Sequence, residues 1–278
     1  MRKLLTYRVA QVAPYINWLY FFHAWGMDGR KRETAQGQEL LAAARKRLEA
    51  WSNRTTKALF MVAAGGSEGD NLEIEGTRIP LLRQQRAQAG NPSLCLSDFV
   101  RPLSLGGDKI GLFATTIPPS DEECGCSDGC CNLHDPYEHL LVQTLSDRLA
   151  EATAELMHQE VRTCYWGYVP DEKLTIEELH AERFQGIRPA IGYPSLPDFS
   201  INFILDRLLH MQEIGITLSP SGMMQPHASV SGLMLAHPQS RYFDVGPIDE
   251  TQLADYAHRR GMPLEEVKKF LARNLLHL

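Results

Sequence analysis

The 278-residue sequence contains no stretch of about eighteen consecutive apolar residues, which leaves it without a recognisable membrane-spanning helix. The aromatic run from Tyr15 to Trp25 is too short to cross a bilayer and is broken by Asn17 and His23. Arg2 and Lys3 precede an apolar start, yet Arg8 and Gln11 interrupt it and no small-x-small cleavage motif follows, so no secretory leader is expected. These features predict a cytoplasmic protein with no membrane partner. Positive charge is in deficit: 28 Lys and Arg stand against 34 Asp and Glu, a formal net charge of -6. That balance argues against non-specific nucleic-acid binding, which needs a basic face to neutralise phosphates. Six cysteines in this length are too few for a disulfide scaffold. Repeats, low-complexity tracts and linker-like shifts in composition are absent, and at 44% hydrophobic residues the chain is too apolar for disorder. The HExxH zinc helix is absent and no Ser/His/Asp nucleophile elbow appears, so metalloprotease and hydrolase chemistry have no residue-level support.

What is present reads as hairpins mixed with helices. Leu40, Leu41, Ala44, Leu48 and Trp51 recur at three-to-four-residue spacing and predict a helix from Glu33 to Trp51. ALFMVAA (Ala58 to Ala64) predicts a buried strand. The turn GGSEGDN and the alternating Leu72 to Glu75 complete an antiparallel hairpin. Leu81 to Ala89 predicts a helix, Lys109 to Thr116 a core strand, and Pro136 to Val161 the longest helix. Thr175 and Glu178 form a capping box that opens a helix from Leu174 to Phe184. A helix from Asp198 to Glu213 is followed by a predicted strand pair, His227 to Pro238 and Arg241 to Gly246. Asp249 caps a helix ending at Gly261, and Pro263 opens the last one. This order predicts an α+β fold with a largely antiparallel sheet flanked by helices, rather than a parallel βαβ array. We expect residues 1–278 to form one domain, with an aromatic-rich segment at 1–30 and a cysteine-rich insertion at 118–135.

Three segments are candidates for chemistry. GGSEGD (Gly65 to Asp70) follows a strand but feeds an alternating segment instead of a helix, so a hairpin turn fits better than a nucleotide loop. Cys124, Cys126, Cys130 and Cys131 crowd into CGCSDGCC with His134 just beyond, but the spacing matches no standard zinc or iron–sulfur pattern. They stand as weak metal candidates against a reading as exposed loop thiols. Gly186 to Pro197 (GIRPAIGYPSLP) is too rigid and too broken for helix or strand. It fixes Arg188, a planar fork suited to a carboxylate, exposes backbone groups near Ala190 and presents the ring of Tyr193.

GIRPAIGYP, then ASVSGLMLAHPQSRYFDVG and QLADYAHRRGMPLEEVKKFLARNL, closely resemble the activation domain of cobalamin-dependent methionine synthase. The resemblance extends upstream through DRLAEATAE (Asp147 to Glu155), YWGY (Tyr165 to Tyr168), LSDFV (Leu96 to Val100) and YINW (Tyr15 to Trp18), and so spans nearly the whole chain. It implies a C-shaped α+β domain around a twisted antiparallel sheet that binds S-adenosylmethionine in a shallow groove, largely through backbone contacts. It also implies a role in reductive methylation. Cobalamin in the cob(II)alamin state is returned to methylcobalamin with one electron from a flavodoxin-like or ferredoxin donor and a methyl group from S-adenosylmethionine. No side-chain catalyst is then required, because cobalt is the nucleophile.

Carried over position by position, the resemblance places Arg188 at the methionine carboxylate, Ala190 at a backbone contact and Tyr193 on the same loop. Tyr242 and Phe243 complete the pocket, and Glu151 and Glu182 fall near the sulfonium. Asn17 stands where the family has an aspartate facing the methionine ammonium; an amide cannot neutralise that charge, so weaker binding is expected. Gln225 and His227 replace a tryptophan and a small residue beside ASVSG, which alters the face presented to cobalamin. The cysteine insertion has no family counterpart. A chain of this length has no room for homocysteine, folate and cobalamin modules as well. The expectation is therefore a reactivation subunit working in trans on a partner chain that carries cobalamin. The alternatives are an activator of another corrinoid methyltransferase, or a non-catalytic regulator whose cysteine loop senses redox state or metal.

Overall fold

A computed structural model describes residues 1–87, 90–119 and 135–275. Its spine is β2 (Thr55–Glu68), a strand long enough to take different partners along its length. One edge pairs with β1 (Arg2–Arg8) over Thr55 to Met61 and then with β3 (Asn71–Ile74) over Gly65 to Glu68. The other edge pairs with β5 (Asp108–Thr116), which in turn pairs with β8 (Ser229–Met234). With β4 (Thr77–Pro80) beside β3, six strands form one curled sheet in which every pairing is antiparallel. A separate ribbon of β6 (Thr217–Leu218) and β7 (Met224–Gln225) leads into β8.

The apolar run ALFMVAA is continuous because both faces of this sheet are covered. Ala58, Phe60 and Val62 point to one core, Leu59, Met61 and Ala63 to the other. The first core takes α1 (Val9–Val12), α2 (Trp18–Ala24), α3 (Ala35–Ala50) and α4 (Pro136–Glu160). The second is closed by α6 (Ile201–Leu209) and the 96–100 segment. Between these helices lies the short α5 (Ile176–His180), whose capping box forms as expected: the Glu178 N–H donates to Thr175 Oγ1 at 3.2 Å and the Thr175 N–H to Glu178 Oε2 at 3.0 Å. A third cluster joins α7 (Glu250–Arg260) and α8 (Leu264–Phe270) to Leu82, Val245 and Ile248. Asp249 caps α7 by accepting from the Gln252 N–H at 2.9 Å.

Two expectations need correcting, and one strand is not predicted. Residues 81–87 form no helix, because tertiary polar contacts outweigh local propensity. The Leu81 N–H donates to the Asp70 carbonyl at 2.8 Å, and Arg83 spans Asp70 and Asp98 at 2.6 and 2.7 Å. Arg241 to Gly246 is irregular, since its groups bond to the proline–glycine loop and form no ladder with β8. Conversely, β1 is a strand that no alternation announced: it is an edge, and of its seven residues only Tyr7 is buried. Cys124, Cys126, Cys130, Cys131 and His134 lie outside the described residues.

Candidate functional site

The site forms where α4 meets the proline–glycine loop. Residues 187–191 run along the free edge of β8 without becoming a full strand. The Ile187 N–H donates to the Leu235 carbonyl at 2.9 Å, Leu235 returns to Ile187 at 3.0 Å, and Leu233 donates to the Pro189 carbonyl at 3.0 Å. Pro189 and Pro194 have no N–H to contribute, which stops the ladder and frees the loop to display side chains. Gly232 permits the close approach, since a Cβ there would strike the Pro189 carbonyl and the Ala190 Cα. Gly192 sits at φ 89°, in the left-handed region, with the Phe199 ring where a side chain would project. Ala190 is buried at this crossing and its carbonyl accepts from the Tyr193 N–H at 3.3 Å.

Asp147, Glu151 and Glu155 recur every four residues on α4, so one helix face presents a row of carboxylates. Each meets a different part of the β8 region. Asp147 Oδ1 lies 3.1 Å from His227 Nδ1, Tyr193 Oη donates to Glu151 Oε1 at 2.7 Å, and Arg188 Nη2 donates to Glu155 Oε2 at 2.9 Å. Arg188 is 10% exposed, its guanidinium carbon lies 5.7 Å from the Phe113 ring centroid, and its backbone N–H donates to Tyr242 Oη at 2.9 Å. Burial alone would lower the Arg188 pKa; Glu155, Tyr242 and Glu151 more than offset that and raise it. The Tyr242 hydroxyl is pushed up to about 12 by burial, against the pull of Arg188.

Glu182 joins the same cluster from beyond α5. It occupies the left-handed region at φ 54°, and its carboxyl is raised by burial and by Glu155, with Arg188 opposing. A side chain of this kind in that region is uncommon and carries local strain. Phe243 contributes through its backbone: its N–H donates to Ser195 Oγ at 3.0 Å and its carbonyl accepts from the same hydroxyl, which ties the 241–246 segment to the loop. Asn17 is placed differently. Its Oδ1 caps α2 by accepting from the Leu19 N–H at 3.1 Å, and no hydrogen bond joins it to Arg188 among the described residues. Its neighbour Tyr15 ties the segment to the site's surroundings: Tyr15 Oη donates to Gln159 Oε1 at 2.8 Å, and the Tyr15 carbonyl lies 3.0 Å from His180 Nε2.

Beside Tyr193 opens a cavity of about 210 Å³, walled by Asp147, Glu151, Gly192, Phe199, Met223 and His227 among others. Burial raises the Asp147 carboxyl while His227 opposes it. Gln225 lies on β7 and is not part of this wall. Among the described residues no group of three or more His, Cys, Asp or Glu is arranged to hold a metal ion. No helix among them is long and apolar enough to cross a membrane.

The structure therefore brings Arg188, Ala190, Tyr193, Tyr242, Glu151 and Glu182 around one end of β8, and holds Asn17 as a helix cap. Sequence reasoning passed over Glu155. Its signal was the four-residue spacing from Glu151, which on a helix puts both acids on one face.

The curled antiparallel sheet with flanking helices is a fold shared with a solved structure. The structure is similar to a crystal structure of the MetH reactivation domain bound to AdoHcy, with a TM-score of 0.91 and 36% sequence identity, covering 100% of this chain and 91% of that one. The model of the vitamin B12 dependent methionine synthase activation domain matches residues 8–261. The chain belongs to that family.

Proposed function

We propose that this domain binds S-adenosylmethionine and supports reductive methylation of cobalamin carried by a partner methionine synthase chain, acting in trans in the cytoplasm. The observation that carries the reading is the cluster itself: one buried arginine faces three carboxylates, Glu151, Glu155 and Glu182, on a loop that also offers backbone groups. The residues fit the ligand. Arg188 suits an α-carboxylate, and the excess of negative charge around it suits a sulfonium cation. Bound there, S-adenosylmethionine supplies an electrophilic methyl group for a cobalt centre that has taken one electron from a flavodoxin-like or ferredoxin donor. Arg188, Ala190, Tyr193, Tyr242 and Phe243 hold and orient; Glu151 and Glu182 balance charge. None of them has a proton to move. Homology to a domain solved with AdoHcy supports the nucleoside half of the assignment.

The reading is tested by adding the protein, S-adenosylmethionine and a reductant to an oxidised, cobalamin-loaded methionine synthase whose own activation module has been removed. Appearance of the methylcobalamin spectrum is expected. A spectrum that stays oxidised while the intact enzyme recovers under the same conditions would overturn it. Recovery of a different corrinoid methyltransferase, and not of methionine synthase, would overturn the choice of partner.

A further inference from the structure

The carboxylate nearest Arg188 is not one that the family resemblance marks. Glu155 Oε2 accepts from Arg188 Nη2 at 2.9 Å, with the two side chains 13% and 10% exposed. A cation removed from water to this degree requires a counter-charge, and Glu155 supplies the ion pair. The pair does not close on itself. Glu155 Oε1 and Arg188 Nε are both buried, and neither finds a hydrogen-bond partner among the described residues. A bidentate pairing would have used two donors of the fork; this one uses a single donor. The Phe113 ring centroid lies 5.7 Å from its guanidinium carbon, and the Tyr242 hydroxyl fixes its backbone by accepting from the Arg188 N–H.

We propose that Glu155 is a positioning residue for carboxylate recognition: it keeps Arg188 charged and turned inward, with the rest of its fork available to the carboxylate of an amino-acid-bearing ligand. The inference rests on the reading of the site as one for S-adenosylmethionine. Calorimetry with two ligands separates the possibilities. S-adenosylmethionine carries the carboxylate, whereas decarboxylated S-adenosylmethionine keeps the nucleoside, the sulfonium and the ammonium and lacks it. Glu155→Gln is expected to weaken S-adenosylmethionine about tenfold while the decarboxylated ligand stays within about twofold. Glu155→Asp is expected to recover part of the loss, and carries the same two-ligand test if the amide variant does not fold. Equal weakening of both ligands, or unchanged binding of S-adenosylmethionine by both variants, would overturn the role of Glu155 alone. A wild-type protein that does not bind S-adenosylmethionine would overturn the site reading and this role together.

Discussion

Two buried arginine–glutamate pairs lean on α4, and they are finished to different degrees. Arg162, fully buried just beyond the helix end, donates from Nε and Nη2 to the two oxygens of Glu172 at 3.0 and 2.7 Å. Its Nη1 donates to His158 Nδ1 at 2.8 Å, and its guanidinium carbon stacks 4.1 Å from the Phe184 ring centroid. Arg188 and Glu155 share one hydrogen bond and leave a donor and an acceptor unused. The closed pair clamps α4 to the segment that leads into α5. The open pair sits beside the exposed ring of Tyr193 and keeps hydrogen-bonding capacity in reserve. The Arg162 fork is thus fully engaged and the Arg188 fork is not; on the reading proposed above, the first serves structure and the second recognition.

The sharpest way to break that contrast is to remove each arginine. Arg162→Met leaves Glu172 buried and uncompensated, and is expected to cost about 3–5 kcal/mol in urea unfolding. Arg188→Met is expected to cost less stability, about 1–3 kcal/mol. Its main effect falls on S-adenosylmethionine, whose affinity should drop by about 1.5–3 kcal/mol, roughly 10- to 100-fold in calorimetry. A variant at Arg188 that unfolds as readily as the one at Arg162 yet binds normally would erase the distinction.

A smaller effect comes from His158. Burial, then the nearby Arg162 and Arg188, hold its pKa well below the ordinary value, so it is neutral in the folded protein, and with Nδ1 accepting, Nε2 carries the hydrogen. The unfolded chain then binds the extra proton in acid. This contribution to stability is complete above the ordinary histidine pKa near 6.5 and lost as pH falls, by up to about 1.4 kcal/mol per unit. Urea midpoints at pH 7 and pH 5 should diverge less for His158→Gln than for the wild type; an unchanged slope would remove His158 from the account. Smallest of all is Asn17→Asp. Aspartate caps a helix as well as asparagine does, so the fold should be unaffected. The regained negative charge is expected to strengthen S-adenosylmethionine binding by about 1 kcal/mol, near fivefold, and calorimetry that shows no gain would contradict the role assigned to position 17.

Much of this was legible in the sequence, for identifiable reasons. β2 and β5 were readable because their residues are apolar on both faces, and α5 and α7 because Thr175 and Asp249 make their caps with residues three positions on. β1 was hidden because an exposed edge strand has little reason to alternate. Residues 81–87 and Arg241 to Gly246 misled because their conformation is decided by Asp70, Asp98, Ser195 and Arg188, which are distant in sequence. The same holds for the site. The proline–glycine loop announced Arg188 and Tyr193, but which carboxylate meets which partner is set by the register of α4 against β8, and that no local pattern records.

The central claim is that the loop of Arg188 and Tyr193 binds S-adenosylmethionine, and direct titration calorimetry of the purified protein tests it most simply. Saturable binding of one equivalent, abolished or greatly weakened in Arg188→Met, is the predicted result. No detectable heat of binding at millimolar S-adenosylmethionine would contradict it.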